Sequence, residues 1–397
     1  MRKKLLSVGM CIILAVSISG CSLSGNLYED GKKSFENGSY EEAAAYFSSA
    51  IKENPERADY YIDYGMSLIK LGQYEEAISE FDKAYVNKDI IIVKRNNKRI
   101  FRGKGITYYY MLKYDKALEE FNKALEIREL SSLDVDILYY IGSSLMTIGS
   151  YDEAIKTYSR LITLDEESAV AYNSRALCYR NKGDFDKSLA DYDKAIQIDP
   201  ANYSHYFGKY YLLTESGDEA AANEVLLKAS GLEIKTSADQ YNIAKVHFYQ
   251  KDYETALSEL SEGFKNGFTE AYYYIGEVYR IRKDYPKAIY YYDIFIDEGE
   301  IMTPNVFNQI SACLIKTGDF SKALTYLEQG IAFGNAKTMQ ILKKNEIVAY
   351  EGLSEFDKVK EKLTDYLSAY PEDADAVREA QFVESRLTEA VTDTIEE

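Results

Sequence analysis

Two histidines, four cysteines and 38 tyrosines are the side chains of this 397-residue chain with the widest range of chemistry. His205 and His247 are each solitary: neither forms an i, i+4 histidine pair or adjoins a cysteine, so neither completes a zinc template. Paired carboxylates such as Glu75-Glu76 are the right type for general acid and base work. They recur at expected helix starts, however, where negative charge complements the helix dipole. No glycine-rich phosphate loop, nucleophile elbow or kinase signature occurs. What remains is a chemistry of contact. Tyrosine and arginine offer large area and directional hydrogen bonds, and "KRNNKRIFRGK" gathers Lys94, Arg95, Lys98, Arg99, Arg102 and Lys104 with no acid among them. It reads as a solvated extended turn, with an anionic contact, either an acidic partner or lipid headgroups, as the sharper alternative.

The elements that position these residues come from a repeat. "YDKALEEFNKALEI" from Tyr114 returns as "FDKSLADYDKAIQI" from Phe185. Aligned on one small residue, the units are anchored at Ala43, Ala77, Ala117, Ala154, Ser188, Ala222, Ala256, Ala288, Ala323 and Val359, a period close to 34. Each unit reads as two amphipathic helices. In the second, Tyr61, Tyr64, Gly65 and Leu68 make one helical stripe, Gly72 breaks the helix, and Tyr74, Ala77, Phe81 and Ala84 make the next. Pro55, Pro200 and Pro371 each fall where a second helix should stop. Pro286 and Pro304 fall at first-turn positions that tolerate proline.

This pattern resembles the tetratricopeptide repeat, carried for example by Tyr172, Ala176, Tyr179, Gly183, Phe185, Tyr192, Ala195 and Pro200. The resemblance implies an all-α fold: a right-handed α-solenoid of about ten helix pairs at 24–57, 58–91, 98–131, 135–168, 169–202, 203–236, 237–268, 269–302, 304–337 and 340–373. The sixth and tenth depart from the motif, with Tyr210 where a small residue is usual and no clean first-helix stripe before Tyr350. The tail 374–397 reads as a capping helix whose apolar stripe is Val377, Ala380, Val383, Leu387 and Val391.

In that family the first helices line the concave face, and ligand contacts come from fixed columns. Here those columns lie 18, 15, 11, 8 and 7 residues before each anchor. They place Arg99, Arg102, Tyr109, Tyr110, Tyr139, Asn173, Arg180, Phe207 and Tyr211 in the groove. Further along they add Tyr241, Lys245, Phe248, Tyr249, Tyr273 and Arg280. The lysine–asparagine clamp that some members use for C-terminal carboxylates is not evident. Cys178 and Cys313 share one column of mostly small or aliphatic residues, four repeats apart, and read as buried hydrophobes with no disulfide between them.

The amino terminus is a separate object. "MRKK" precedes an apolar run of 15 residues, short for a spanning helix. Ile18-Ser19-Gly20-Cys21 then resembles the lipobox of bacterial lipoproteins, which implies cleavage of 1–20 and lipidation of Cys21. A tether of only 21–26 would hold the array close to the membrane.

The expectation is therefore a membrane-anchored, non-enzymatic protein-interaction scaffold at the extracytoplasmic face of a bacterial membrane, with protein or peptide partners and no cofactor or metal. The other reading is a groove for extended peptides or cell-wall glycans. A net charge of −18 argues against nucleic-acid binding, which needs a basic face.

Overall fold

The computed structural model describes residues 23–298, 303–334 and 336–393, and among them every regular element is helical. The leader, Cys21 and its neighbours lie outside the described residues. Helix α1 (23–36) pairs with α2 (Tyr40–Glu53), α3 (Ala58–Lys70) with α4 (Tyr74–Ala84), and α5 (Ile91–Tyr110) with α6 (Tyr114–Glu126). Next come α7 (Asp134–Thr147) with α8 (Tyr151–Leu164), α9 (Ala169–Lys182) with α10 (Phe185–Ile198), and α11 (Tyr203–Glu215). These helices make up a compact N-terminal body that ends at Glu219.

The C-terminal body begins at Ala220, inside α12 (Glu219–Ser230). It continues with α13 (Ser237–Tyr249) and α14 (Tyr253–Lys265), then α15 (Glu270–Ile281) and α16 (Tyr285–Glu298). The pairs α17 (Pro304–Thr317) with α18 (Phe320–Ala332) and α19 (Ala336–Gly352) with α20 (Phe356–Ala369) follow, and α21 (Ala374–Asp393) closes the series.

Within each body the helices pack in chain order, α4 on α3 and α5, for example, and α16 on α15 and α17. A single hairpin cannot cover its own apolar stripe, and its neighbour does so. The anchors set the spacing. Ala43, Ala77, Ala117, Ala154 and Ser188 are fully buried in the first body, and Ala256, Ala288, Ala323 and Val359 in the second. Side chains this small let the helix axes approach. One turn further on, Phe47, Phe81, Phe121, Tyr158 and Tyr192 fill the space between successive pairs. Each body is thus an α-solenoid.

Two expectations are corrected. The stretch 94–104 is helix throughout, because α5 starts at Ile91 and not near 98. Its added turns are fastened to neighbouring loops: buried Asn97 donates to the Val86 carbonyl at 2.8 Å, and Lys98 to that of Ile127 at 2.8 Å. On α21 the buried stripe is Ala376 and Val383 with Ala380 half-buried, while Val377 faces outward. Spacings of four and three residues put 376, 380 and 383 on one face and leave 377 off it. The side chains of Leu387 and Val391 lie outside the described residues.

Candidate functional site

The odd-numbered helices of the N-terminal body run parallel, and side-chain bonds between them fix their register. Tyr60 donates to Ser24 at 3.4 Å and Tyr28 to Asp63 at 2.5 Å, joining α1 to α3. Asp63 also receives Arg99 of α5. Arg102 reaches Asp136 of α7, and the Tyr109 hydroxyl lies 2.9 Å from that of Ser143. Tyr139 bonds Ser168, the N-cap of α9. Asn173 meets the Nδ1 atom of His205 at 3.1 Å, and Arg180 pairs with Glu215 at 3.3 Å while lying over the Tyr211 ring. Most cations expected to point into the groove therefore bridge one repeat to the next. A guanidinium half-withdrawn from water keeps its charge best against a carboxylate.

A cleft of about 340 Å³ opens on this face, lined by Lys32, Phe35, Glu36, Phe47, Asp63, Met66 and Arg102. Of these only Arg102 was expected from sequence. The signal was available, however: Lys32, Phe35, Glu36 and Met66 occupy the same columns, 11, 8 and 7 before their anchors, in the first two repeats.

The aromatic residues form one arrangement twice. In the N-terminal body Tyr109 packs on Tyr110 at 5.7 Å, Tyr114 at 5.7 Å and Tyr140 at 5.2 Å between ring centroids, and Tyr110 stacks on Tyr74. Tyr110 is 43% exposed. In the C-terminal body the same columns hold Phe248 against Tyr249, Tyr253 and Tyr274, with the Tyr249 and Tyr274 hydroxyls 3.2 Å apart. Lys245 rests 5.4 Å over both Tyr241 and Tyr274, and burial pulls its pKa below the ordinary lysine value. Tyr273 accepts from Asn305 at 2.8 Å. Arg280 is held by Glu277 of its own helix, which also takes the Tyr292 hydroxyl.

Phe207 and Tyr241 are placed differently from the groove expectation. Both are core side chains, Phe207 beside Tyr203 and Tyr241 stacked on Phe268 at 4.9 Å. For Tyr241 the cover comes from Phe268, in the loop before α15.

The basic stretch is largely neutralised. Lys98 is fully buried and paired with Asp134 at 2.6 Å; Lys94 meets Asp89 and Glu129; Lys104 meets Asp82. Arg95 is exposed and makes no ion pair among the described residues.

Two models of the tetratricopeptide repeat match this sequence, one over residues 169–202 and the other over 31–89, 102–169 and 241–300, together more than half of the chain. The chain is a tetratricopeptide repeat protein. This repeat protein is 21% identical to BBSome complex member BBS4 of Bos taurus over 87% of its own length and 66% of that relative. It is 27% identical to the Hsp70-Hsp90 organizing protein of Triticum aestivum, over 46% of its length and 36% of the relative's. The chain thus spans about a third to two thirds of the curated relatives it matches. A solved tetratricopeptide repeat protein from Parabacteroides merdae is 19% identical, with a TM-score of 0.48, covering 62% of this chain and 94% of that one.

Two thiols and two imidazoles of this tetratricopeptide repeat protein lie among the described residues. Cys178 and Cys313 are free, buried thiols whose pKa burial pushes up to about 12. Burial also lowers the pKa of His205, and its Nε2 atom has no partner among the described residues. His247 meets Glu259 at 2.7 Å. Among the described residues no group of three His, Cys, Asp or Glu side chains converges to hold a metal, and no helix is long and apolar enough to cross a membrane.

Proposed function

We propose that this chain is a non-enzymatic protein-interaction scaffold, tethered by a lipid on Cys21 to the extracytoplasmic face of a bacterial membrane. The observation that carries the interaction role is the cleft on α1, α3 and α5. Its floor is apolar, Phe35, Phe47 and Met66, and its rim is charged, Lys32, Asp63 and Arg102. An extended polypeptide offers both an apolar side chain for the floor and backbone polar groups for the rim. The positive n-region, short apolar run and lipobox support the tether.

Between peptides and glycans the ring packing favours peptides. Sugar stacking needs an open aromatic face, and the rings of Tyr109, Phe248 and Tyr273 are engaged edge-to-face or tilted with neighbours.

Photoreactive residues at Met66 and Tyr110 in living cells test the role. A discrete protein adduct, lost on Asp63→Arg, is the expected result; adducts that Asp63→Arg leaves unchanged refute the cleft. Mass measurement of the amino-terminal peptide tests the tether. An acyl-modified Cys21 is expected, and an intact 1–20 segment refutes it.

A further inference from the structure

Helix α5 differs from its counterparts at its amino-terminal end. It starts at Ile91 for an anchor at Ala117, whereas α3 starts at Ala58 for Ala77 and α9 at Ala169 for Ser188. The surplus is about two turns, roughly 10 Å of helix. The direction in which it projects is fixed by the parallel register: Ser24 stands level with Tyr60, and Asp63 level with Arg99. Residues 91–95 therefore extend beyond Ser24, on the edge where the described chain begins.

The projecting end is apolar and exposed. Ile90, Ile91 and Ile92 are 53%, 62% and 60% accessible, and the adjoining Tyr85 and Val86 are exposed as well. Monomeric proteins seldom leave such a run of large aliphatics in water without a partner for it. Lys94 and Arg95 follow one helical turn behind Ile91 on the same face. Across residues 85–95 three cations face one acid, Asp89, in a chain whose total charge is −18. Glu129 also approaches Lys94, yet Arg95 and Lys88 stay exposed and make no ion pair among the described residues. Aliphatic side chains at a tip with cations one turn behind match the depth profile of an anionic bilayer, acyl chains first and headgroup phosphates above.

We propose that the amino-terminal end of α5, with Ile90, Ile91 and Ile92 inserted and Arg95 at the headgroups, is a second membrane contact that docks the scaffold on an anionic bilayer. It rests on the membrane-tethered reading above, since it needs that edge to lie at a bilayer. Cys21 is three residues from Ser24, so at about 3.4 Å per residue the tether spans no more than roughly 10 Å and both contacts reach one surface. Anchor and tip together would hold the array in one orientation, where a single acyl attachment leaves it free to swivel.

The chain contains no tryptophan, which makes a single introduced one a clean reporter. Full-length Ile91→Trp and, as a control in the other body, Leu227→Trp are mixed with vesicles of phosphatidylglycerol and brominated phosphatidylcholine. Ile91→Trp fluorescence is expected to be quenched at least about twofold and Leu227→Trp to be unchanged. Co-sedimentation of the full chain carrying Cys21→Ser is expected to weaken at least about tenfold on Ile91→Gln with Ile92→Gln, and to weaken with Arg95→Glu or added salt. Equal quenching of the two tryptophans, or none for Ile91→Trp in sedimenting protein, overturns the proposal. So does conversion of a dimer to a monomer by Ile91→Gln with Ile92→Gln, which would reassign the surface to a second copy. The two readings separate cleanly: an acyl group on Cys21 without quenching leaves the tether standing and removes the docking tip, and quenching with an unmodified Cys21 does the reverse.

Discussion

Gly105 rides directly on the ring of Phe121: a Cβ built on that glycine would lie 2.5 Å from the ring carbons. The same contact recurs between Gly142 and Tyr158 at 2.6 Å and between Gly276 and Tyr292 at 2.7 Å. Where Ala244 takes the glycine's place, the ring is replaced by Leu260. Gly105→Ala should therefore destabilise the N-terminal body by about 1–3 kcal/mol through overpacking, even though alanine favours helix by about 1 kcal/mol. Adding Phe121→Leu should recover part of that loss, since the chain already uses the alanine–leucine combination. Urea unfolding of the two variants and the double variant checks this; an unchanged midpoint for Gly105→Ala would refute it.

The turn inside each helix pair places one residue at positive φ, five before the anchor. Gly72, Gly149, Gly183 and Gly318 hold it at φ 73°, 80°, 78° and 82°, but Leu112, Lys251 and Lys283 hold it at 58°, 65° and 61°. A side chain there costs about 1–2 kcal/mol, and glycine returns part of the gain as unfolded-state entropy of about 0.5–1 kcal/mol. Lys251→Gly and Lys283→Gly should each raise stability by about 0.5–1 kcal/mol. Thermal unfolding should show an upward shift for each.

Lys98 is buried with its ammonium between Asp134 and the Ile127 carbonyl. Removing one partner leaves the other uncompensated. Asp134→Ala should cost about 3–5 kcal/mol, and Lys98→Met with Asp134→Asn markedly less than that. A double-mutant cycle in denaturant measures the difference; additive costs would show that the pair is not coupled.

Glu351 of α19 and Glu379 of α21 share a cleft with Lys344 and Asp375. Burial first, and then the neighbouring Glu379, push the Glu351 carboxyl from the ordinary 4.5 up to about 7. The folded chain thus holds this proton more tightly than the unfolded one. The associated stability is fully present below about pH 4.5 and is lost as pH rises through about 7. The protection factors of α21 amides, corrected for the intrinsic rise of exchange with pH, should fall across that window, and Glu351→Gln should flatten the dependence. A protection-factor profile that stays steep in Glu351→Gln would assign it to another group.

Cys178 and Cys313 should be silent toward thiol reagents in the native protein, because burial holds both thiols protonated up to about pH 12. Both should react at once in denaturant. Fast native labelling of either would mean that its repeat opens readily.

The repeat, its helix pairs and the small-residue anchors were legible in the sequence, because each is a local pattern repeated in register. A period close to 34, a stripe at three and four residues, and proline after the second helix need no knowledge of what lies across the chain. Partnership was not legible in the same way. Arg99 and Arg102 looked like inward-facing cations until the parallel register set Asp63 and Asp136 beside them, and Lys98 looked solvated until its helix buried it. Phe207 and Tyr241 share a column with Arg102 and Tyr139, yet Phe207 and Tyr241 are buried while Arg102 and Tyr139 bond to the next repeat. A column position fixes the direction of a Cβ within its own helix; what meets that side chain depends on the spacing and tilt of the neighbouring repeat, and those are properties of the assembled stack.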